Sequence, residues 1–250
     1  MQQLKKLYRS TYPGENVVTS LSLNNAEWNP EVEFIPNSVF NTFTTTQAIA
    51  IGNGESRLNV PLHFIKNHRA GLGGANKLQS YACNAIYRDF APDFLISIGK
   101  EITEEIAESG YTNTNIVYTN SQHLLEYPGK FYLIPQNIPY DSGAIAAYMA
   151  CFDGHKKVFL LGYDGYETED AHRVNNVYKN TPGYLASGGI QSSAFWRKSL
   201  HTVMTTYSDV EFVKVMPTAR WTCPAEFTGL LNFRQISIKD FVHEADVGLI

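Results

Sequence analysis

The chain has 250 residues, of which 44% are apolar, 13% aromatic and 18% charged, with a formal net charge of −4. That composition suits one large α/β domain with additions. It excludes a non-specific nucleic-acid binder, which needs clustered Lys and Arg, and no apolar stretch reaches the ~18 residues of a membrane-spanning helix. Cys83, Cys151 and Cys223 lack CxxC spacing and read as free thiols of a reducing compartment, and no apolar leader region follows Met1, so the expected location is cytoplasmic.

Residues 1–46 read as an N-terminal extension. Pro13-Gly14 and Asn29-Pro30 are turn signals, while Val17-Val18 and Val32–Ile35 are short strand candidates. The extension is expected to pack on the main sheet or to serve self-association, which makes a homo-oligomer one expected state.

Residues 47–250 form the expected nucleotide-binding domain. Ala48-Ile49-Ala50-Ile51 is a continuous apolar run, as in a strand buried on both faces of a parallel sheet. It leads straight into Gly52-Asn53-Gly54, whose glycines permit φ > 0 and a close approach of main chain to a ligand. The spacing then predicts a short helix over 60–66, strands at 70–72 and 79–83, and a strand at 94–99. A helix over 101–109 stops at Gly110, and a strand at 115–118, a helix at 121–126 and a strand at 131–134 follow. Asp141 is a candidate N-cap for a helix running through Ala144 to Phe152. Val158–Gly162 is a second clear core strand, residues 163–193 form a polar, lid-like segment, and Phe195–Tyr207 is a helix with Phe195, Leu200, Val203 and Met204 inward. Val210–Val215 is predicted as the last strand. The alternation specifies an α/β fold with a doubly wound, mostly parallel, Rossmann-like sheet.

Three loops fall at expected strand carboxyl ends, at 52–56, 84–88 and 162–166, and Asp141-Ser142-Gly143 opens a helix. In open α/β sheets ligands bind at that edge, and a helix N-terminus offers free N–H groups to an anion. Each feature alone also fits a turn or a cap. The acidic residues Asp164, Glu167, Glu169 and Asp170 suit either a hard cation or a solvated loop face. The seven histidines show no HxH or HExxH spacing and the chain holds no Asp-x-Asp pair, so no metal site is expected. Tyr178, Tyr184, Phe195 and Trp196 suit stacking on a sugar or base as well as lid packing.

Taken together, Gly52-Asn53-Gly54-Glu55-Ser56, Ala82–Tyr87, Asp141-Ser142-Gly143-Ala144 and Gly162–Tyr166 occur in the order and approximate spacing seen in Rossmann-like bacterial sialyltransferases. The frame also resembles the related motility-associated glycosyltransferase superfamily. The resemblance covers about Gln47 to Val215. It implies a CMP-linked sugar donor used as substrate, without metal or other cofactor, and an acceptor it does not identify. It further implies that Gly52, Asn53, Gly54 and Asn84 meet the nucleotide and sugar, that Ser142 and Gly143 lie at the donor, and that Asp164 helps hold the nucleoside. Tyr166 would donate a hydrogen bond to the leaving phosphate. The family's general-base histidine has Gln191 or a near neighbour in its place, and its arginine ahead of the Ser-Gly pair is replaced near Pro139. His172 is the nearest lid histidine and the candidate base, with an unperturbed pKa near ~6.5. The expected function is sugar transfer from a nucleotide-activated donor. The alternatives are a non-catalytic nucleotide-sugar-binding or assembly protein on the same fold, and a related pterin pyrophosphokinase.

Overall fold

The computed structural model describes residues 3–9, 15–24, 27–36, 47–67, 78–164, 176–184, 193–216 and 223–245. The continuous apolar run of the first core strand, β4 (Gln47–Ile51), is fully buried, with Ala48 and Ala50 in one core layer and Ile49 and Ile51 in the other. A strand covered on both faces has no place for polar alternation, which is why the sequence shows none.

Around it stands an eight-stranded sheet, every neighbouring pair parallel. The strands that follow β4 are β5 (Gln79–Cys83), β6 (Phe94–Ile96), β7 (Ile116–Thr119), β8 (Tyr132–Leu133), β9 (Lys157–Leu161), β10 (Glu211–Met216) and β11 (Phe233–Ser237). The sheet order is β11-β10-β9-β4-β5-β6-β7-β8. From β4 the chain winds outward to β8, returns to β9 on the other side of β4, and winds outward again. The switch in direction therefore lies between β4 and β9, where the carboxyl ends of a doubly wound sheet open for a ligand.

The helices are α1 (Leu62–Asn67), α2 (Lys100–Glu108), α3 (Ser121–Glu126), α4 (Ser142–Phe152), α5 (Ser193–Thr206) and α6 (Ile238–Glu244). One core layer joins α4 and α5 to the sheet; the other joins α1, α2, α3 and α6 to the opposite face. In α4 every residue from Ala144 to Cys151 is buried, and its four alanines allow it to lie close on Ala48 and Ala50.

The structure corrects three expectations. β10 is not the last strand: β11 pairs beyond it, its Phe233-Arg234-Gln235-Ile236-Ser237 run being too polar to read as buried because it is the sheet's edge. Phe195 does not point inward but is 42% exposed, and its neighbour Trp196 takes the inner position, between the rings of Tyr163 and Phe227. The N-terminal residues form more than short strands: β1 (Gln3–Arg9), β2 (Glu15–Asn24) and β3 (Glu27–Pro36) make a three-stranded antiparallel sheet, with β1 beside β8. The strand expected at 70–72 lies outside the described residues.

Candidate functional site

The loops after β4 and β9 meet at the switch point. Gly52 N–H donates to Leu161 O at 2.8 Å and Gly54 N–H to Gly162 O at 2.9 Å. A Cβ on Gly52 would stand 2.6 Å from Gly162 O, and one on Gly54 2.4 Å from an Asp164 carboxylate oxygen. The close approach that the glycines serve is thus between two loops of the protein. Contrary to the expectation from the sequence, neither Gly52 nor Gly54 has positive φ; that conformation belongs to Gly162, at φ +76°. Asp164 braces the same junction, accepting from the Ser56 N–H at 2.7 Å and from the Ser56 hydroxyl, at the start of a short 3₁₀ helix, Glu55–Asn59.

Between these glycines Asn53 is carried inward. Its Nδ2 donates to Cys83 O at 3.0 Å, at the end of β5, and lies 3.5 Å from the Tyr184 hydroxyl, while its Oδ1 is buried without a partner. Asn84, the residue after β5, sits at φ +55°, a left-handed conformation that asparagine tolerates better than most side chains. Its Nδ2 bonds to Ser142 Oγ at 2.7 Å, joining the end of β5 to the N-terminus of α4, and its Oδ1 is also buried without a partner. Asp141 caps α4: Oδ1 accepts from Gly143 N–H at 2.9 Å and Ala144 N–H at 3.1 Å, while Oδ2 is buried and unpartnered. Tyr184 closes the group, its hydroxyl beside the Asn53 and Asn84 side chains and the Ala85 amide.

Burial governs the electrostatics. It raises the Asp141 carboxyl to about 6 against the opposing effect of the Ala144 and Gly143 amides. It pushes the Cys83 thiol up to about 12, with the Asp141 charge adding to the effect, so Cys83 is a packed thiol and not a thiolate nucleophile. Burial likewise holds Tyr184 and Tyr163 well above the ordinary phenol range. Tyr163 donates its hydroxyl hydrogen to Gly143 O at 2.7 Å, and the buried Lys214 ammonium donates to Tyr163 O at 2.8 Å.

A short part of the lid-like segment, 176–184, is clamped over this edge. Val177 N–H donates to Asn53 O at 2.8 Å. The Tyr178 hydroxyl donates to Asp89 Oδ2 and accepts from the buried Arg57 guanidinium, each at 2.6 Å, while Arg57 and Arg88 lie 5.2 and 5.8 Å from its ring centre. Arg88 also donates to Thr181 Oγ1 and Pro182 O. Tyr178→Phe would leave a buried guanidinium without its neutral partner, and we expect a loss of about 1–2 kcal/mol in denaturant unfolding.

Of the residues nominated from sequence, the fold therefore brings Asn53, Asn84 and Ser142 into one cluster. Gly52, Gly54 and Asp164 hold the loop junction beside it. Gly143 has both main-chain polar groups engaged, by Asp141 and by Tyr163. Tyr166 and His172 lie outside the described residues. Sequence reasoning missed Asp141 as more than a cap, and it read Tyr184 as a stacking or lid-packing ring rather than as a hydroxyl beside Asn53 and Asn84. The missed signal is the adjacency of an acidic cap to the Ser-Gly pair.

No protein-family model and no curated protein matches the chain. Among solved structures its fold is similar to sialyltransferases. The sialyltransferase CST-II in complex with CMP is 15% identical over 76% of this chain and 89% of that one, with a TM-score of 0.45. CstII from Campylobacter jejuni with cytidine-5'-monophosphate as substrate analogue is 18% identical over 77% and 89%, with a TM-score of 0.40. A further CST-II complex with CMP is 14% identical over 80% and 98%, with a TM-score of 0.45. Among the described residues no helix is long and apolar enough to cross a membrane.

Proposed function

We propose that the Asn53–Asn84–Ser142 cluster is the donor site of a glycosyltransferase that uses a nucleotide-linked sugar, with CMP-linked donors favoured. The observation that carries this reading is the Asn84–Ser142 bond, which couples a strand carboxyl end to a helix N-terminus beside buried, unpartnered polar atoms. A folded protein leaves such atoms open at a cost of roughly 1–3 kcal/mol each, which a ligand or ordered water recovers. The order of the four motifs along the chain supports the choice of a CMP-linked sugar. In this reading Tyr166 donates to the departing phosphate as its charge grows, in place of a metal, and His172 accepts the acceptor's proton.

A nucleotide panel in a thermal-shift assay tests it. A ligand bound only by the folded state at 100 times its Kd adds about 2.7 kcal/mol, which for a chain of this size raises Tm by about 5–10 °C. CMP is expected to give the largest shift, and Asn53→Ala to abolish it. A preference for adenine nucleotides, or no shift with any nucleotide, would overturn the assignment.

A further inference from the structure

The segment 176–184 crosses the sheet edge folded upon itself. Thr181 N–H donates to Tyr178 O at 3.0 Å, Tyr184 N–H to Thr181 O at 2.9 Å and Asn180 N–H to Tyr184 O at 3.0 Å. The Thr181 hydroxyl adds a bond to Tyr178 O at 2.7 Å. These bonds tie Tyr178 to Tyr184, so a displacement in the middle of the segment reaches both ends. Both ends bear on Asn53. The Val177 N–H donates to Asn53 O at 2.8 Å, and the Tyr184 hydroxyl lies 3.5 Å from Asn53 Nδ2. The segment thus holds the main chain and the side chain of the same residue.

Arg88 holds the segment. It ends the short 3₁₀ helix Asn84–Arg88, which begins at the Asn84 of the cluster. Glu105 of α2 accepts from its Nε at 2.7 Å and also from its Nη2, a two-point pairing that fixes the plane of the guanidinium. The same fork then reaches the segment: Nη1 donates to Thr181 Oγ1 at 2.9 Å and Nη2 to Pro182 O at 3.0 Å. An ion pair with Glu105 needs only the first two of these bonds. The other two serve the segment, and only a planar fork with five donors can supply all four. The segment itself rests on α2, because a Cβ on Gly183 would stand 2.4 Å from Ile102 Cδ1. Arg88 makes no hydrogen bond to Asn53, Asn84 or Ser142 among the described residues. Its influence on the cluster therefore passes through 176–184.

We propose that Arg88 is a positioning residue for the nucleotide-linked donor, holding Asn53 in place by fastening the segment 176–184 to α2. The inference rests on the reading of the cluster as a donor site. It adds to that reading a residue that touches neither donor nor cluster, and it makes affinity depend on how well the segment is fastened. A ligand that needs Asn53 in place binds more weakly in proportion to the fraction of molecules in which Asn53 is displaced.

The test is a calorimetric titration of the full chain with CMP, well below the melting temperature of every variant, with hydrogen exchange of the Val177 amide measured alongside. Arg88→Ala is expected to raise the Kd for CMP about tenfold, as if Asn53 stood in place in about one molecule in ten, and to speed Val177 exchange. Thr181→Val keeps the Arg88–Glu105 pair and removes only the segment's end of one bond, so a rise of about threefold is expected. Arg234→Ala is the control. It breaks a comparable fork, to Glu211 and Glu244, at the far edge of the sheet. It is expected to lower Tm while leaving the CMP Kd and Val177 exchange unchanged. An unchanged Kd in Arg88→Ala, or in Thr181→Val where Arg88→Ala does not fold, overturns the inference and leaves the donor site standing. A rise as large in Arg234→Ala does the same, since it would reflect stability alone. A raised Kd without faster Val177 exchange also overturns it, because the effect would not pass through the segment. A native chain that binds no CMP overturns the site assignment together with the inference.

Discussion

Gly162→Ala is expected to destabilise the protein by roughly 2–4 kcal/mol, a fall in Tm of about 5–15 °C for a chain of this length. Two costs combine. Gly162 stands at φ +76°, where a side chain costs about 1 kcal/mol. A Cβ there would also lie 2.7 Å from Gly52 O and 3.1 Å from Gly52 C, both main-chain atoms. Those atoms cannot yield, since the Gly52 and Gly54 amides are bonded across to Leu161 O and Gly162 O. Gly154→Ala separates the two costs: Gly154 has φ +90° but nothing within 4 Å of its Cβ position. It is expected to lose about 1 kcal/mol only. Equal losses for the two variants in urea unfolding would show that the contact between the loops is not tight. Because the same junction carries Asn53 into the proposed donor site, Gly162→Ala should also weaken the CMP binding proposed for it, whereas Gly154→Ala should not.

The comparison of glycines shows what the sequence could and could not convey. The apolar run Ala48–Ile51 could be read as a buried parallel strand, because burial on both faces leaves a direct imprint on composition. Asp141 could be read as a cap for the same kind of local reason. Gly52-Asn53-Gly54 was legible as a special loop, but the partner of its close approach was not: the partner, Gly162, is 110 residues away in the chain and nothing local marks the pair. β11 was illegible because an edge strand, with Arg234 tied to Glu211 and Glu244, carries charges that a local pattern assigns to a loop. Phe195 was read as inward for a related reason. Helical spacing alone allows either ring inward, and the choice is made by Tyr163 and Phe227 from elsewhere in the chain. At the site itself, Asn84 and Ser142 could be placed on the same sheet edge from topology. That Asp141 keeps a buried, unpartnered oxygen there follows only from packing.

Asp141 also makes the stability of the protein depend on pH in a direction opposite to that of most carboxylates. Two influences favour its charged form, the hydrogen bonds from the Gly143 and Ala144 amides and the positive end of the α4 dipole. Burial opposes them and is the largest cause, so the carboxyl rises from 3.8 to about 6 on folding. A group whose folded pKa lies above its unfolded value binds more protons in the folded chain between the two. Its contribution is therefore fully present below about pH 4 and is lost as pH rises through about 6. Over that interval the loss is on the order of 2–3 kcal/mol. Cys83 at about 12 and Tyr163 well above the phenol range do not titrate in this window, so they leave the signal to Asp141. Other carboxylates in the chain, such as Glu105 and Glu244, are lowered by their arginine partners and give the reverse slope. The measurement is accordingly a difference: urea unfolding of the native chain and of Asp141→Asn at intervals from pH 4 to pH 8, where the other groups cancel. Asparagine caps a helix about as well as aspartate, so the variant should be close to the native chain at pH 4 and more stable by that margin at pH 8. Parallel curves would mean that the carboxylate is solvated in the folded chain and that burial does not raise it.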